Sequence, residues 1–265
     1  MTEIGLGARE ALSVPGVGSV LWRGPEAAWL RLPGGILGLA GRSAPSGPLW
    51  ARGEFGLEGV EPGAAIGVDE VVALVGQASV WEGTLPAPAA LLAGAALALD
   101  TLASVPAPED LPEVRSGDPG AAAAVLAGLG PGLTPAGDDV LCGLLLARRA
   151  LGGPATERAL LAVVDGLPTT DLSLAFLRWS ARGQQVAPLH DLLGAAASGD
   201  PAAARDAAGR LAAFGATSGR AMAHGVRLAL ASYRAARRAR PTPPAVVQPA
   251  TTTSTSETAR SVFET

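Results

Sequence analysis

Up to about residue 83 the apolar residues come in short runs broken by glycine and proline. SVLW (19–22), AWLRL (28–32), ILGLA (36–40) and AIGVDEVVALV (65–75) are bounded by turn-forming clusters, the pattern of short strands. From residue 86 the apolar positions recur at helical spacing instead. Helices are predicted over 91–102, 135–151, 156–164, 170–182, 201–214 and 218–240, with Gly152-Gly153-Pro154 ending the second. The pattern predicts an α+β protein. A β-rich N-terminal part, 1–85, forms a small barrel or sandwich, and a mainly helical part, 86–240, follows. After Arg240 the chain turns rich in Pro, Thr and Ser, and 241–265 is expected to be a disordered, dispensable tail.

Composition refines this picture. With 265 residues and 48% hydrophobic content, the chain can bury the core of one large or two modest domains. Four of the five tryptophans, Trp22, Trp29, Trp50 and Trp81, fall in the β-rich part and are expected to fill its core. Residues 83–99 carry no charge, but they are short and broken by Pro86 and Pro88, so a buried helix is expected rather than a membrane span. The net charge of −4 argues against non-specific nucleic-acid binding. The local exception is Arg234, Arg237, Arg238 and Arg240, which are expected to complement the dipole at a helix end. A single cysteine, Cys142, makes no internal disulfide and is read as packing, and no signal peptide is read at the start. A cytoplasmic location is the resulting expectation.

The chemistry concentrates in GLGPGLTPAGDD (128–139). Gly128, Gly130 and Gly132 alternate and permit backbone angles closed to other residues. Thr134 is the expected N-cap, Pro135 the first helical residue, and Asp138 and Asp139 lie in the first turn. Amides at such a start attract anions. The motif lacks the lysine of a phosphate-binding P-loop, and the chain has no lysine at all. Two adjacent carboxylates would repel a bare phosphate, so either Mg²⁺ bridges them to it or they accept hydrogen bonds from an N–H-rich substrate. The two project about 100° apart on a helix. Asp138 is expected to face the loop and read the ligand, with Asp139 supporting the backbone or a second helix. Two further helix starts carry hydroxyls and glycine: Thr169-Thr170-Asp171-Leu172-Ser173 and Gly215-Ala216-Thr217-Ser218-Gly219. All three are expected to meet at one polar pocket, which His224 could reach from the last helix. His190, beside Asp191, is expected at the surface or in a cap. The two histidines and Cys142 lack metal-ligand spacing, so no metal site is read.

Three segments together resemble the AllH family, a subunit of oxamate carbamoyltransferase: GLGPGLTPAGDDVLCG (128–143), the TTDLS block (169–173) and GATSGRAMAHG (215–225). The family pattern has Ser where Ala136 stands and Asp where Arg220 stands. The resemblance implies phosphate-dependent cleavage of oxalurate to oxamate and carbamoyl phosphate in allantoin breakdown, with partner subunits. It also implies roles for the residues. Asp138 and Asp139 would be catalytic or hold ureido N–H groups. Gly130, Gly132, Thr134, Gly137, Thr170, Ser173, Thr217, Ser218, Gly219 and His224 would bind a small ureido acid, carboxylate or phosphate. The rival readings are a non-catalytic subunit binding ligand or partner, and a Mg²⁺-dependent phosphoryl-transfer enzyme. Nucleic acid and membrane are not expected partners.

Overall fold

The computed structural model describes residues 1–57 and 60–239, so the expected tail at 241–265 lies outside the described residues. Seven strands form one mixed sheet: β1 (Thr2–Gly5), β2 (Val17–Arg23), β3 (Ala27–Leu32), β4 (Gly35–Gly41), β5 (Trp50–Gly53), β6 (Ala65–Gly67) and β7 (Ala78–Trp81). Their order is β6-β2-β3-β4-β5-β1-β7, with β4–β5 and β1–β7 parallel and the other pairs antiparallel. The α+β class is borne out. The strands make a single sheet with β6 and β7 at its two ends, not the two sheets of a sandwich or the closed ring of a barrel.

Strand alternation divides the sheet between two cores. Ala28, Leu30 and Leu32 of β3 and Leu37 and Leu39 of β4 pack with two short helices, α1 (Leu6–Ala11) and α2 (Val68–Val75). Trp29 and Ile36, at the alternate positions, belong with Trp50 to the larger core built by the later helices. The tryptophans therefore do not fill the β core as expected. Trp50 and Trp29 face the helices, Trp81 packs edge-on to His190, and Trp22 is exposed. The small core is aliphatic, and bulky rings are accommodated where sheet meets helix. Gly38 makes that room, since a Cβ there would lie 2.8 Å from Trp29 and 3.0 Å from Trp50.

The run 65–75, expected as a strand, is β6 followed by α2. Its valines suggest a strand by composition, yet the buried positions are Val68, Val71 and Val75, a helical spacing. Asp69 and Glu70 sit in the first turn, where the helix dipole favours them.

The remaining helices are α3 (Pro88–Leu102), α4 (Pro119–Leu126), α5 (Ala136–Gly152), α6 (Glu157–Val164), α7 (Asp171–Ala181), α8 (Ala187–Ser198), α9 (Pro201–Ala212) and α10 (Ser218–Ala239), with a 3-10 turn at Pro154–Thr156. All six expected helices are present; α4 and α8, rich in alanine, are additional. Among the described residues no helix is long and apolar enough to cross a membrane. Helix α5 is the axis of the bundle, with every residue of 137–147 buried, the two aspartates of its first turn included. Helix α10 lies against it at backbone contact: a Cβ on Gly143 would sit 1.9 Å from the Met222 carbonyl oxygen, and one on Gly225 would sit 1.9 Å from that of Val140.

His190 is buried, against the expectation of a surface position. Its Nε2 accepts from the Gln185 amide at 3.0 Å, and its Nδ1 lies 3.2 Å from the Thr84 carbonyl oxygen. That pairing selects the neutral ring with the proton on Nδ1, and burial lowers its pKa. Gln184 also clasps the amide and carbonyl of Gly83, so the end of the sheet is fastened to the α7–α8 connection.

The close α5–α10 approach makes a specific prediction. Gly225→Ala should cost about 1–3 kcal/mol by overpacking, lowering Tm by roughly 2–10 °C for a chain of this size. Gly209→Ala in α9, where a Cβ meets nothing within 4 Å, should leave Tm unchanged or raise it. Equal melting of Gly225→Ala and the parent would show that the two backbones are not in contact.

Candidate functional site

The starts of α5, α7 and α10 meet at one polar junction. Thr170 caps α7: its Oγ1 accepts from the Ser173 amide at 3.0 Å, while its hydroxyl donates to the Leu133 carbonyl at 2.6 Å. The neighbouring Thr169 hydroxyl donates to Asp138 Oδ2. The Gly128 amide donates to Asp138 Oδ1 at 2.9 Å. Asp138 thus joins the loop before α5 to the loop before α7, and both its oxygens are committed. Asp139 turns toward α10, with Ser218 close enough to its carboxylate to oppose the rise in its pKa. The starts of α5 and α7 are thus joined by hydrogen bonds, and the start of α10 adjoins them at Asp139.

The start of α5 differs from the expected cap. Pro135, with φ −51 and ψ 141, is the N-cap, the helix begins at Ala136, and no side chain caps it. Thr134 is not the cap, because the extended ψ of Pro135 places the first helical turn one residue later. The Pro135 carbonyl accepts the amides of Asp138 (2.9 Å) and Asp139 (3.2 Å), and the Leu129 carbonyl accepts that of Gly137 (2.9 Å). The first-turn amides of Gly137, Asp138 and Asp139 are consequently used within the loop and are not aimed at a ligand, while that of Ala136 reaches no protein acceptor among the described residues. The other free donors belong to the loop itself. Among the described residues, the amides of Gly130, Gly132, Leu133 and Thr134 reach no protein acceptor. Positive φ at Gly130 (116) and Gly132 (94) shapes this exposed turn.

Burial sets the electrostatics. Asp138 and Asp139 are 1% and 2% exposed. Loss of water pushes the Asp139 carboxyl up to about 7, the Asp138 charge adds to this, and the Ser218 hydroxyl opposes it. Asp139 Oδ2 and Ser173 Oγ are buried with no hydrogen-bond partner. Such atoms are costly unless a ligand or water meets them. Cys142 is buried, and that burial pushes its thiol well up, which suits packing rather than nucleophilic attack.

The other sequence candidates divide. Gly137 and Gly219 are buried at backbone contacts, with a Cβ meeting the Leu126 and Leu211 carbonyl oxygens at 2.1 Å and 1.6 Å. Thr217 is exposed at the turn into α10, and Ser218 is half-buried. His224 does not reach the junction. It lines a separate cleft with Leu126, Val140 and Leu228, because six residues of helix turn it away from the face that Ser218 presents.

Sequence reasoning left two features out of the site. Thr169, the first of the threonine pair, holds Asp138, whereas the second was the one singled out. The sheet also supplies a wall of rings: Trp50 stacks on Phe214 at 6.2 Å, and Phe176 meets Trp29 at 5.7 Å and Trp50 at 6.0 Å. Phe176 lies one turn beyond Ser173, and Phe214 directly precedes the turn into α10. An Arg31–Asp171 ion pair adds an exposed tie between β3 and α7.

This junction is spanned by a family match. The model of one family, oxamate carbamoyltransferase subunit AllH, matches residues 126–230. The segment that carries the site is AllH-like. The resemblance read from the three motifs is borne out over that stretch. No curated protein and no solved structure matches the chain.

The two carboxylates should separate in a thermal melt. Asp138→Asn leaves a buried partner mismatched and should cost about 1–3 kcal/mol. Asp139 behaves differently. Its folded carboxyl keeps a proton up to about 7, against the ordinary value of 3.8, so folding binds a proton in that interval and stability falls as pH rises through it. The parent should therefore lose Tm relative to Asp139→Asn between these two values and run parallel to it above them. Parallel curves throughout would mean that Asp139 is solvated.

Proposed function

We propose that this chain is a subunit of an oxamate carbamoyltransferase-like enzyme whose AllH-like segment holds a small ureido acid at the α5–α7–α10 junction. The observation that carries this reading is Asp139 Oδ2, a buried carboxylate oxygen without a partner, placed where three helix starts meet. A ureido group offers the adjacent N–H donors that such an oxygen needs, and a charge-assisted hydrogen bond is the stronger for being made away from water. The free amides of Gly130, Gly132, Leu133 and Thr134 and the hydroxyl of Thr217 would hold the substrate carboxylate or phosphate. Asp138 positions the loop.

In this reading a phosphate oxygen bonds to the ureido carbonyl carbon of oxalurate and the C–N bond to the oxamate nitrogen breaks. The phosphate's proton ends on that nitrogen, giving carbamoyl phosphate and oxamate. A carboxyl poised at about 7 is suited to carry that proton. Holding the two reactants together supplies much of the rate in any such transfer, and partner subunits would complete the site. Roles are exchanged relative to the sequence expectation: Asp139 reads the ligand and Asp138 builds the loop. Among the described residues no group of three or more His, Cys, Asp and Glu comes together, and Asp138 has no oxygen to spare, so the residues do not fit the Mg²⁺ reading.

Calorimetric titration with oxalurate, oxamate and phosphate, partner subunits present, tests the proposal. Asp139→Asn should weaken ureido-acid binding or turnover at least roughly tenfold. Binding without turnover in the parent would make the chain a non-catalytic ligand-binding subunit. Undiminished binding and turnover in Asp139→Asn would place the site elsewhere.

A further inference from the structure

The cleft that holds His224 is distinct from the junction. It measures about 380 Å³ and lies between α4, α5, α10 and the irregular segment 103–117. Leu111, Val114, Leu126, Val140 and Leu228 line it, and His224 is its one aromatic nitrogen base. None of the junction's hydrogen-bonding residues takes part. The volume falls in the range of small-molecule sites, as does an apolar lining with few polar groups.

Its polar groups define the ligand's head. The Nδ1 of His224 is buried and meets no hydrogen-bond partner. Burial, then the charge of Arg227 one turn along α10, lowers the imidazole pKa, so the ring is neutral and carries one N–H. Arg227 forms no ion pair among the described residues. The one carboxylate in the lining, Glu113, is engaged by Arg115 through two hydrogen bonds of 3.0 Å. An unsatisfied imidazole in an apolar cleft, with an unpaired cation one helical turn away outside the lining, calls for an anion with an apolar body.

We propose that this cleft binds a small monocarboxylate with an aliphatic or aromatic tail. The tail occupies the apolar lining, His224 donates to the carboxylate, and Arg227 balances its charge. This site is independent of the carbamoyl-transfer reading and stands or falls separately from it.

With two histidines in the chain, proton NMR of the imidazole Cε1–H groups gives a direct readout, His224 being assigned by loss of its signal in His224→Gln. Octanoate is the probe, and octanol its uncharged counterpart. Octanoate should move the His224 resonance saturably with a Kd below about 1 mM and leave His190 in place. Arg227→Gln should weaken octanoate roughly tenfold without changing the response to octanol. Ala107→Trp, at an exposed position on the cleft's rim, should block both probes. A shift still linear at about 10 mM octanoate, equal movement of His190, or octanol binding as tightly as octanoate would each overturn the proposal.

Discussion

Asp138 carries a buried charge whose two oxygens are committed to two different loops. Its Oδ1 takes the amide of Gly128 and its Oδ2 the hydroxyl of Thr169, 31 residues away, so the chain on either side of α5 and α7 is held at one point. A carboxylate this deeply buried is tolerated only when hydrogen-bonded on both oxygens. The exposed glycine turn and the cap of α7 both depend on that condition being met. Thr170 reinforces it through the Leu133 carbonyl. What stays uncommitted is the next residue, and that contrast between neighbours gives the junction its chemical character.

The bundle around this point is arranged to bring α10 close enough to complete it. Gly143 and Gly225 remove side chains where α5 and α10 cross, so Ser218 arrives beside Asp139 rather than a side-chain diameter away. From the other side, Trp29 and Trp50 press the sheet onto Phe176 and Phe214, which steadies the starts of α7 and α10. The sheet, whose own core is aliphatic and separate, thereby acts as a rigid back wall for a site made by helices.

Much of this architecture was legible in local sequence. Periodicity located α5, α7 and α10, and the hydroxyls of Thr169-Thr170-Asp171-Leu172-Ser173 marked a helix start, because such groups act on amides a few residues away. What local sequence could not show depends on distance. The valines of 68–75 resemble a strand until their burial against the sheet reveals a helical period. His190 looks like a surface residue because the groups that bury it, Gly83, Thr84 and Gln185, come from other segments. The division between Asp138 and Asp139 rests on Thr169 and Ser218, in two different helix starts, and no spacing rule encodes which carboxylate each will meet. The α5 cap was misplaced for a subtler reason: the extended ψ of Pro135, not the cap preference of Thr134, set where the helix begins.

The account turns on Asp139 being a buried acid with an uncommitted oxygen, its carboxyl pushed up to about 7 by the absence of water. Carbon-13 NMR of the aspartate carboxyl carbons reads that state directly, with Asp139 assigned by the signal missing from Asp139→Asn. The ligand-free protein should show this carboxyl titrating at about 7. A midpoint at the ordinary aspartate value of 3.8 would mean that the carboxyl is open to water, and would contradict the account.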